Sequence, residues 1–395
     1  MTYAIISSFA SAFLLDRGYS NSDIGVILAA GSVVAVFLQP ILADIADRSK
    51  KISLISLTQI ITVVLMVLTL LSFIMHKANI ALSVVFVMLV AWDTALQPLF
   101  NSLAFKLEES GHKIKFGINR AMGSLFYSVL CSFLGTLTAK AGTQILPITG
   151  EIVLLMLLVT LIFVSRHFKK ACAVRDAENA AKSFYDNDEK EKTDRIEDVA
   201  DADTQDINFG RFIKRNKLFV VVSIGVAGLF FSNAVFNNFM LQMVENVGGD
   251  SGDMGLILSI MAMLEIPAMF LFDAIHSKIS CKTLLKVGAI SFTLKIFCAY
   301  IADSVTMLYV AQLFQPTAFG IFLPAMVCFI DEIMDKGEAV KGQSLYTIMT
   351  TVGTIFATLL DISGATQFLL ISSVITGVGA VMIICVVGRV KNKKI

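Results

Sequence analysis

Long apolar stretches alternate with short polar intervals along the whole chain, and twelve of these stretches are candidate membrane-spanning helices. A helix needs about 20 apolar residues to cross the hydrocarbon core of a bilayer, which is about 30 Å thick. In chain order the stretches are Thr2–Leu15, Asp23–Ala43, Ile52–Met75, Ile80–Phe105, Phe116–Thr138, Ile148–Phe168, Leu218–Val244, Asp253–Ile275, Thr283–Ala302, Thr306–Ile330, Leu345–Leu360 and Thr366–Gly388. The pattern predicts an all-α membrane protein with twelve transmembrane helices.

The first stretch is shorter than the others. Thr2–Leu15 spans 14 residues, and it lacks the preceding cationic segment of a secretory signal peptide. We expect a transmembrane helix whose first part lies upstream of Met1.

A charged interval separates the first six stretches from the last six. It holds twelve acidic and seven basic residues, with almost no aliphatic periodicity. Such a segment cannot bury enough apolar surface to offset the entropy lost when it orders. We predict an N-terminal six-helix bundle at residues 1–168, a solvated cytoplasmic linker at 169–210 and a C-terminal six-helix bundle at 211–395.

The net charge of +1 conceals an uneven distribution of basic residues. Of the 32 lysines and arginines, 27 lie in one set of alternate loops, the linker and the C-terminal tail, and only Arg17, Lys77 and Lys140 lie in the opposite loops. Cytoplasmic loops carry the excess of basic residues in multi-pass membrane proteins. We therefore expect a protein of the inner or plasma membrane with both termini in the cytoplasm.

Composition and motifs exclude several classes of protein. Hydrophobic residues make up 56% of the chain and charged residues 16%, whereas about a quarter of the residues in a soluble domain are charged. The chain has no long basic run for nucleic acid, no G-x-x-x-x-G-K-[ST] phosphate loop, no G-x-S-x-G elbow and no histidine pair at metal-ligand spacing. Its six cysteines are scattered. We expect no enzyme activity, cofactor, metal site or disulfide framework.

An internal repeat relates the two groups of stretches. A shift of 230 residues places Asp23–Leu28 over Asp253–Leu258 with four identities in six. The dipeptide Gln97-Pro98 in the fourth stretch also has a counterpart, Gln315-Pro316, in the tenth. Two homologous halves joined by a linker predict two pseudo-symmetric six-helix bundles, as in a parallel-repeat transporter.

The loop between the second and third stretches resembles a motif of the major facilitator superfamily. Residues 42–51 read LADIADRSKK, an aspartate followed by basic residues, although Pro40 and Asp47 stand where that motif has glycines. An aspartate at a helix end can pair with cations or cap another helix and so hold one conformation. The resemblance implies a gating loop made by Asp44, Asp47, Arg48, Lys50 and Lys51. The alternative is a charged turn that only follows the topology rule.

Three further stretches resemble one branch of that superfamily, which groups lactose permease-like, phenylpropionate permease-like and nucleoside-proton symporter-like proteins. They are FGINRAMGS at 116–124, LEIP at 264–267 and KGQS at 341–344. The resemblance covers nearly the whole chain. It implies a secondary transporter, expected to be a monomer, whose site is exposed alternately to either side of the membrane.

Glu265 and Lys295 are charged residues inside predicted spans, where a charge costs about 2.5–3.5 kcal/mol. On antiparallel neighbouring helices they reach a similar depth and can pair. The 230-residue shift places Ala35 and Leu65 opposite them, so the shared scaffold does not require the pair. We predict a proton-coupling site, because a lysine that moves relative to a buried carboxyl changes its proton affinity. A structural salt bridge is the alternative, and the lactose permease-like proteins have a glutamate and an arginine here.

Asp93 and Arg120 are two further charged residues in predicted spans. Asp93 is a second candidate for proton coupling, because an axial offset of about 10 Å argues against a direct pair with Arg120. Lactose permease-like proteins carry a sugar-binding glutamate where this chain has Asn101, so a galactoside is not expected. Arg120 suits an anionic or carbonyl-rich solute, or it is an interfacial anchor.

Polar residues recur at helical spacing in the fourth, seventh and tenth stretches. In lipid such side chains must face a cavity or a neighbouring helix. We predict a central solute site, with helix–helix hydrogen bonding as the alternative. Its members are Gln97, Asn101, Arg120, Asn233, Asn237, Asn238, Gln242, Gln312 and Gln315, with Phe236, Phe239 and Phe319 for stacking. Gln315 and Ala318 stand where lactose permease-like proteins have a histidine and a second glutamate, so that proton route does not transfer as a whole.

The sequence therefore predicts a transporter that imports a small polar solute together with protons by alternating access. Two alternatives stay open. One is efflux by proton antiport, and the other is a non-transporting membrane receptor or degenerate paralogue, which the short first and eleventh stretches would fit.

Overall fold

Helices make up nearly all of the described chain. The computed structural model describes residues 2–48, 53–109, 116–186, 209–334, 339–359 and 365–390, and no residue in these ranges lies in a strand. The N-terminal half, residues 2–186, forms α1 (Ala10–Asp16), α2 (Asn21–Arg48), α3 (Leu54–Ile74), α4 (Ile80–Glu109), α5 (Phe116–Ala141) and α6 (Ile145–Asp186). The C-terminal half, residues 209–390, forms α7 (Phe209–Arg215), α8 (Lys217–Asn238), α9 (Met240–Asn246), α10 (Ser251–His276), α11 (Cys281–Tyr300), α12 (Val305–Ala311), α13 (Phe322–Ile333), α14 (Ala339–Leu359) and α15 (Ala365–Val387). π-Helical segments at Ala4–Ser8 and Pro316–Ile321 and a 3-10 turn at Gln312–Phe314 complete the helical elements.

Ten helical segments of the described chain are long and apolar enough to cross a membrane, and they confirm ten of the twelve predicted spans. The first and eleventh spans stay predictions. Between Thr2 and Arg17 the described chain is helical, with the segment Ala4–Ser8 and the short helix α1. Helix α14 has 21 residues, but five of them are threonines, which lower its apolar character.

The outer surface of the helices is apolar, as a lipid-facing surface requires. Large apolar side chains that would be costly to expose to water are exposed on several helices. Examples are Phe37 at 69%, Ile80 at 84%, Met156 at 65% and Phe163 at 63%. Buried apolar side chains form two clusters, one shared by both halves and one within the C-terminal half.

Helix α6 continues beyond the predicted end of its span. It reaches Asp186, so residues 169–186 of the predicted linker are helical, and the rest of that linker up to residue 208 lies outside the described ranges. The extension is rich in alanine and contains neither glycine nor proline. Alanine has the highest intrinsic helix propensity, which here outweighs the lack of an apolar face.

Most helix packing lies within each half, and two extensive contacts join the halves. Helix α5 packs on α10, and α2 packs on α14. The 230-residue shift relates α2 to α10, while α5 and α14 are the fifth predicted spans of their respective halves. Each contact between the halves therefore joins the second span of one half to the fifth span of the other.

The repeated segments Asp23–Leu28 and Asp253–Leu258 begin equivalent helices. The backbone N–H of Asp23 donates to Ser20 Oγ at 3.2 Å, and the N–H of Ser20 donates back to the Asp23 carboxylate at 3.1 Å. Asp250 and Asp253 exchange the same two bonds at the start of α10, at 3.1 and 3.2 Å. Both segments therefore form capping boxes, which satisfy backbone donors at a helix start.

The glycine shared by the two repeated segments lies at both contacts between the halves. A Cβ atom on Gly255 of α10 would lie 2.6 Å from the Cα of Gly135 on α5. A Cβ atom on Gly25 of α2 would overlap the carbonyl oxygen of Thr358 on α14. Side chains at these positions would push the helices apart, so the repeat encodes the close approach of the two halves as well as the helix starts.

Candidate functional site

A cavity of about 710 Å³ lies between helices of the two halves. Its hydroxyl- and amide-bearing residues from the N-terminal half are Tyr3, Ser7, Ser32, Gln39, Thr94, Ser124 and Tyr127. Those from the C-terminal half are Asn233, Asn237, Asn238, Gln315, Thr350, Thr351 and Thr354. Among the described residues that line the cavity, Glu265 is the one with a charged side chain. The cavity therefore offers many neutral hydrogen-bonding groups and one acid.

Glu265, Gln315 and Lys295 form a hydrogen-bonded cluster, which we call the polar triad. Lys295 Nζ donates to Gln315 Oε1 at 2.5 Å, and Gln315 Nε2 donates to Glu265 Oε1 at 2.5 Å. The exposed fractions are 8% for Glu265, 1% for Gln315 and 2% for Lys295. An ammonium only donates and a carboxylate only accepts, which fixes the orientation of the amide between them. Gln315, predicted as a solute ligand, thus joins the two predicted proton-coupling residues.

Lys295 does not line the cavity, and its ammonium group lies among other side chains behind the cavity wall. Its Nζ is 4.1 Å from the ring centroid of Phe236 and 3.5 Å from Met261 Sδ. A buried cation over an aromatic face gains about 2 kcal/mol or more. Phe236 therefore contacts Lys295 and does not line the cavity.

Of the three aromatic residues predicted for stacking, the structure places Phe319 in the cavity wall. Phe319 lies next to Phe230, with ring centroids 6.2 Å apart, and Phe230 also lines the cavity. Phe239 is 1% exposed and packs edge-on against Phe368. Phe236 and Phe239 thus lie away from the cavity wall, and their part in solute stacking stays a prediction. Helical spacing alone does not show which neighbour a side chain meets.

A break in helical geometry positions Gln315 in the triad. Helix α12 ends at Ala311, and a 3-10 turn and the π-helical segment Pro316–Ile321 follow. Proline lacks a backbone N–H and disrupts the regular hydrogen bonds of a helix. Gly320 in this segment packs against the backbone of Glu265, where a Cβ atom would lie 3.3 Å from its carbonyl oxygen. The irregular segment therefore brings the chain around Gln315 close to α10.

Asp93 is buried in α4, with an exposed fraction of 6%, and its carboxyl interacts with the hydroxyl of Thr2. It does not line the cavity, although the next residue, Thr94, does. The structure therefore separates Asp93 from the polar triad. Its predicted part in proton coupling stays a prediction.

Several predicted site residues fall outside what the structure describes. The helices α2, α4 and α5 include Asp44, Asp47, Arg48, Gln97, Asn101 and Arg120, but their side chains lie outside the described part. Lys50 and Lys51 lie outside the described ranges altogether. The gating loop and the role of Arg120 therefore stay predictions.

The threonines of α14 form a cavity wall that the sequence reasoning did not identify. Thr350 Oγ1 and Thr351 Oγ1 donate to the carbonyl oxygen of Thr347 at 2.8 and 2.9 Å, and Thr354 Oγ1 donates to that of Thr350 at 3.0 Å. These residues recur at the spacing of three and four that defines one face of a helix. This spacing of threonines is visible in the sequence and could have identified the wall.

Contacts between the halves flank the cavity. Ser128 Oγ on α5 lies 2.8 Å from Ser259 Oγ on α10, and both residues are buried. Gln242 Nε2 on α9 donates to Asn21 Oδ1 at the start of α2 at 3.1 Å. These few polar contacts, together with the close glycines, join the halves around the cavity.

Comparison with known proteins gives a consistent family assignment. The sequence model of the MFS_1 like family matches residues 1–382. A putative sugar efflux transporter of Deinococcus radiodurans is 24% identical over 119 residues, and the match covers 30% of each chain. The chain thus spans less than a third of that relative's length.

Solved transporter structures share the fold over the whole chain. A mutant of the nucleoside transporter NupG superposes with a TM-score of 0.73 at 14% identity, covering 98% of this chain and 95% of that one. A D-xylose-proton symporter gives a TM-score of 0.67 at 14% identity, covering 100% of this chain and 96% of that one. At these identities the likeness concerns the fold.

Proposed function

We propose that this chain, a membrane transporter that belongs to the MFS_1 like family, imports a small uncharged polar solute together with protons. The observation that carries the proposal is the position of Glu265, a buried acid that lines the central cavity and is hydrogen-bonded through Gln315 to Lys295. A proton site on the wall of a solute cavity allows each ligand to affect the binding of the other. We infer an inner or plasma membrane location and a monomeric unit.

The cavity lining supports an uncharged polar solute. Hydroxyl and amide groups from both halves surround it, and the rings of Phe230 and Phe319 offer an apolar face. Its volume falls in the range of about 300–1,000 Å³ that is typical of small-molecule sites. A ring-shaped solute with several hydroxyl groups, such as a sugar or a nucleoside, matches this chemistry. The similar structures include a nucleoside transporter and a xylose–proton symporter.

The polar triad supports a mechanism for coupling. When Glu265 is ionised, it accepts the hydrogen bond of Gln315, whose oxygen in turn accepts from Lys295. When Glu265 is protonated, the electrostatic attraction that holds this arrangement is lost, and the Gln315 amide is free to turn toward a solute. Proton uptake and solute binding are thereby linked at one amide group.

The two contacts between the halves support alternating access. Helices α5 and α10 touch through glycines, and α2 and α14 touch at Gly25. We propose that the halves act as two six-helix bundles that rock against each other, so that the helices at these contacts separate at one end at a time and open the cavity to either side in turn.

Reconstituted proteoliposomes with a pH-sensitive dye provide the test. A panel of labelled sugars and nucleosides is added outside, and solute uptake and external pH are followed together. Solute-dependent alkalinisation of the outside supports symport. Acidification of the outside driven by solute entry contradicts it and supports efflux by proton antiport; the Deinococcus radiodurans relative is named a putative sugar efflux transporter. Absence of flux for the whole panel contradicts solute transport of this class and favours a receptor role.

A further inference from the structure

Three potential metal ligands converge where α10, α11 and α13 meet, on the side that the loop charges predict to be cytoplasmic. His276 is the last residue of α10, Cys281 is the first residue of α11, and Cys328 lies in α13. One ligand atom from each of the three residues lies within 4.8 Å of the other two. This cluster is separate from the central cavity, and none of its members lines that cavity.

One separation within the cluster is close to that around a tetrahedral ion. Cys281 Sγ lies 3.4 Å from Nδ1 and 3.9 Å from Nε2 of His276. Around a tetrahedral zinc ion, with Zn–S distances of about 2.3 Å and Zn–N distances of about 2.0–2.1 Å, sulfur and nitrogen ligands lie about 3.6 Å apart. Because Sγ is at similar distances from both ring nitrogens, it lies beside the ring, and the imidazole must turn for a nitrogen lone pair to face a shared ion.

Neighbouring residues hold the ligands in place. The His276 ring stacks on Phe272, one turn earlier in α10, with ring centroids 5.6 Å apart and planes inclined by 9°. Cys281 is fully buried and follows Ser280, whose side chain caps the start of α11. The partial positive charge at a helix N-terminus favours an anionic ligand such as a thiolate. The fold thus places Cys281 at a helix start that favours a thiolate and keeps the His276 ring beside it before any ion binds.

Glu332 lies one helical turn after Cys328 on α13, and its carboxyl interacts with the thiol of Cys281. The three residues of the cluster itself leave the fourth position of an ion open to water. Two cysteines and one histidine with an open fourth position form a donor set of the kind that zinc accepts. Thiolates favour zinc over the hard ions magnesium and calcium, which prefer oxygen ligands.

We propose that this cluster binds one Zn²⁺ ion through Cys281, Cys328 and His276, with a water molecule as the fourth ligand. Binding displaces one proton from each thiol, so two protons leave for each ion bound. The ion joins the end of α10 and the start of α11 to the middle of α13 and stabilises them against unfolding, because it binds the folded chain and finds no assembled site in the unfolded one. No metal site was expected from the sequence because the ligands of the cluster come from separate segments of the chain.

Metal titration of the purified full chain tests the proposal. Co²⁺, whose thiolate complexes absorb in the near ultraviolet, is added first, and Zn²⁺ is then used to displace it. We expect one ion per chain, a thiolate-to-cobalt band that zinc removes, and a rise in thermal unfolding temperature with zinc. Cys281→Ser and Cys328→Ser should each weaken binding more than about tenfold. Cys298→Ser, on the same helix as Cys281 but outside the cluster, is the matched control and should bind as the unaltered chain does.

Absence of the cobalt–thiolate band, or a band of equal strength in all three variants, would overturn the proposal. If a cluster variant does not fold, cysteine alkylation of the unaltered chain gives the answer by mass spectrometry. Zinc should slow the alkylation of Cys281 and Cys328 and leave that of Cys298 unchanged, whereas equal rates with and without zinc would overturn the site. A disulfide between Cys281 and Cys328 that forms equally with zinc present would also contradict it.

Discussion

At the scale of single residues, Glu265 is the acid on which proton coupling depends in our proposal. Glu265→Gln keeps the size and hydrogen-bonding capacity of the side chain but removes the group that takes up a proton. We expect accumulation of solute driven by a pH gradient to be lost, while exchange of labelled for unlabelled solute continues. Both rates are measured in proteoliposomes.

A matched control for that substitution is Glu245→Gln. Glu245 lies in α9, is exposed and does not line the cavity. The Glu245→Gln variant should leave both rates unchanged. Gradient-driven accumulation that survives in the Glu265 variant would show that the proton binds elsewhere, with Asp93 as the next candidate.

Gln315 is the second residue whose removal has a defined expected effect. Gln315→Leu leaves the buried ammonium of Lys295 without its acceptor and takes a donor from Glu265. Loss of a partner for a buried polar group costs about 1–3 kcal/mol. We expect a lower thermal unfolding temperature and a loss of coupled transport. Leu313→Ala, at a side chain that is 65% exposed, is the control, and equal unfolding temperatures for the two variants would contradict the triad's structural role.

The sequence allowed part of the triad to be predicted. The number of residues gives the length of each helix, because every residue adds a fixed rise. It therefore predicted that Glu265 and Lys295 lie at equal depth, and so close together, on antiparallel helices. The intervening amide could not be predicted in that way. Its position depends on the irregular segment after α12 and on how far that segment rotates about its axis, and neither quantity follows from apolar periodicity.

At the scale of helices, the contact between α5 and α10 leaves no room for an added side chain. Gly255→Ala adds a Cβ atom where the Cα of Gly135 lies 2.6 Å away. Overpacking of this kind costs about 1–3 kcal/mol. We expect a lower thermal unfolding temperature and slower transport.

Gly377→Ala on α15 is the control for that substitution, because its added Cβ atom would meet its nearest neighbour, Thr293, at an ordinary 3.8 Å. It should be close to neutral. If the two variants unfold at the same temperature, the tight packing of α5 on α10 does not limit stability.

The lengths of the apolar runs predicted which helices exist better than they predicted where the helices end. Ten spans were found because each contains an uninterrupted apolar run that a bilayer would accept. The extension of α6 to Asp186 was missed because charge content was taken as the sign of a linker, whereas its alanines favour helix. The tenth span was predicted as one helix, and the disruption next to Pro316 divides it into α12 and α13.

At the scale of the whole molecule, relative movement of the halves can be tested by a crosslink. Ser128→Cys combined with Ser259→Cys places two thiols where the hydroxyl oxygens are now 2.8 Å apart, on α5 and α10. We expect the oxidised double variant to lose solute transport and to regain it after reduction, since a disulfide there ties the two halves together.

Each single cysteine variant, treated with the same oxidant, is the control and should keep its transport rate. It also accounts for any oxidation of native cysteines. Full transport by a fully crosslinked double variant would contradict a mechanism that needs the halves to separate along α5 and α10.

Fold class and family could be predicted from the sequence, because hydropathy, the 230-residue repeat and the short motifs all depend on residues close together in the chain. The residues that meet between the two halves could not be predicted from the sequence. The repeat identified Gly25 and Gly255 as equivalent, but the neighbours they meet, Thr358 and Gly135, belong to helices of the opposite half.

The threonine wall of α14 gives the cavity a direction of hydrogen bonding. The hydroxyl protons of Thr350, Thr351 and Thr354 are all directed to carbonyl oxygens of their own helix, which leaves their lone pairs as the groups that face the cavity. Asn237 likewise commits one of its two Nδ2 hydrogens to the carbonyl of Asn233. The threonine wall is consequently an array of acceptors that matches the O–H and N–H groups of a solute and repels the lone pairs of a carboxylate or phosphate.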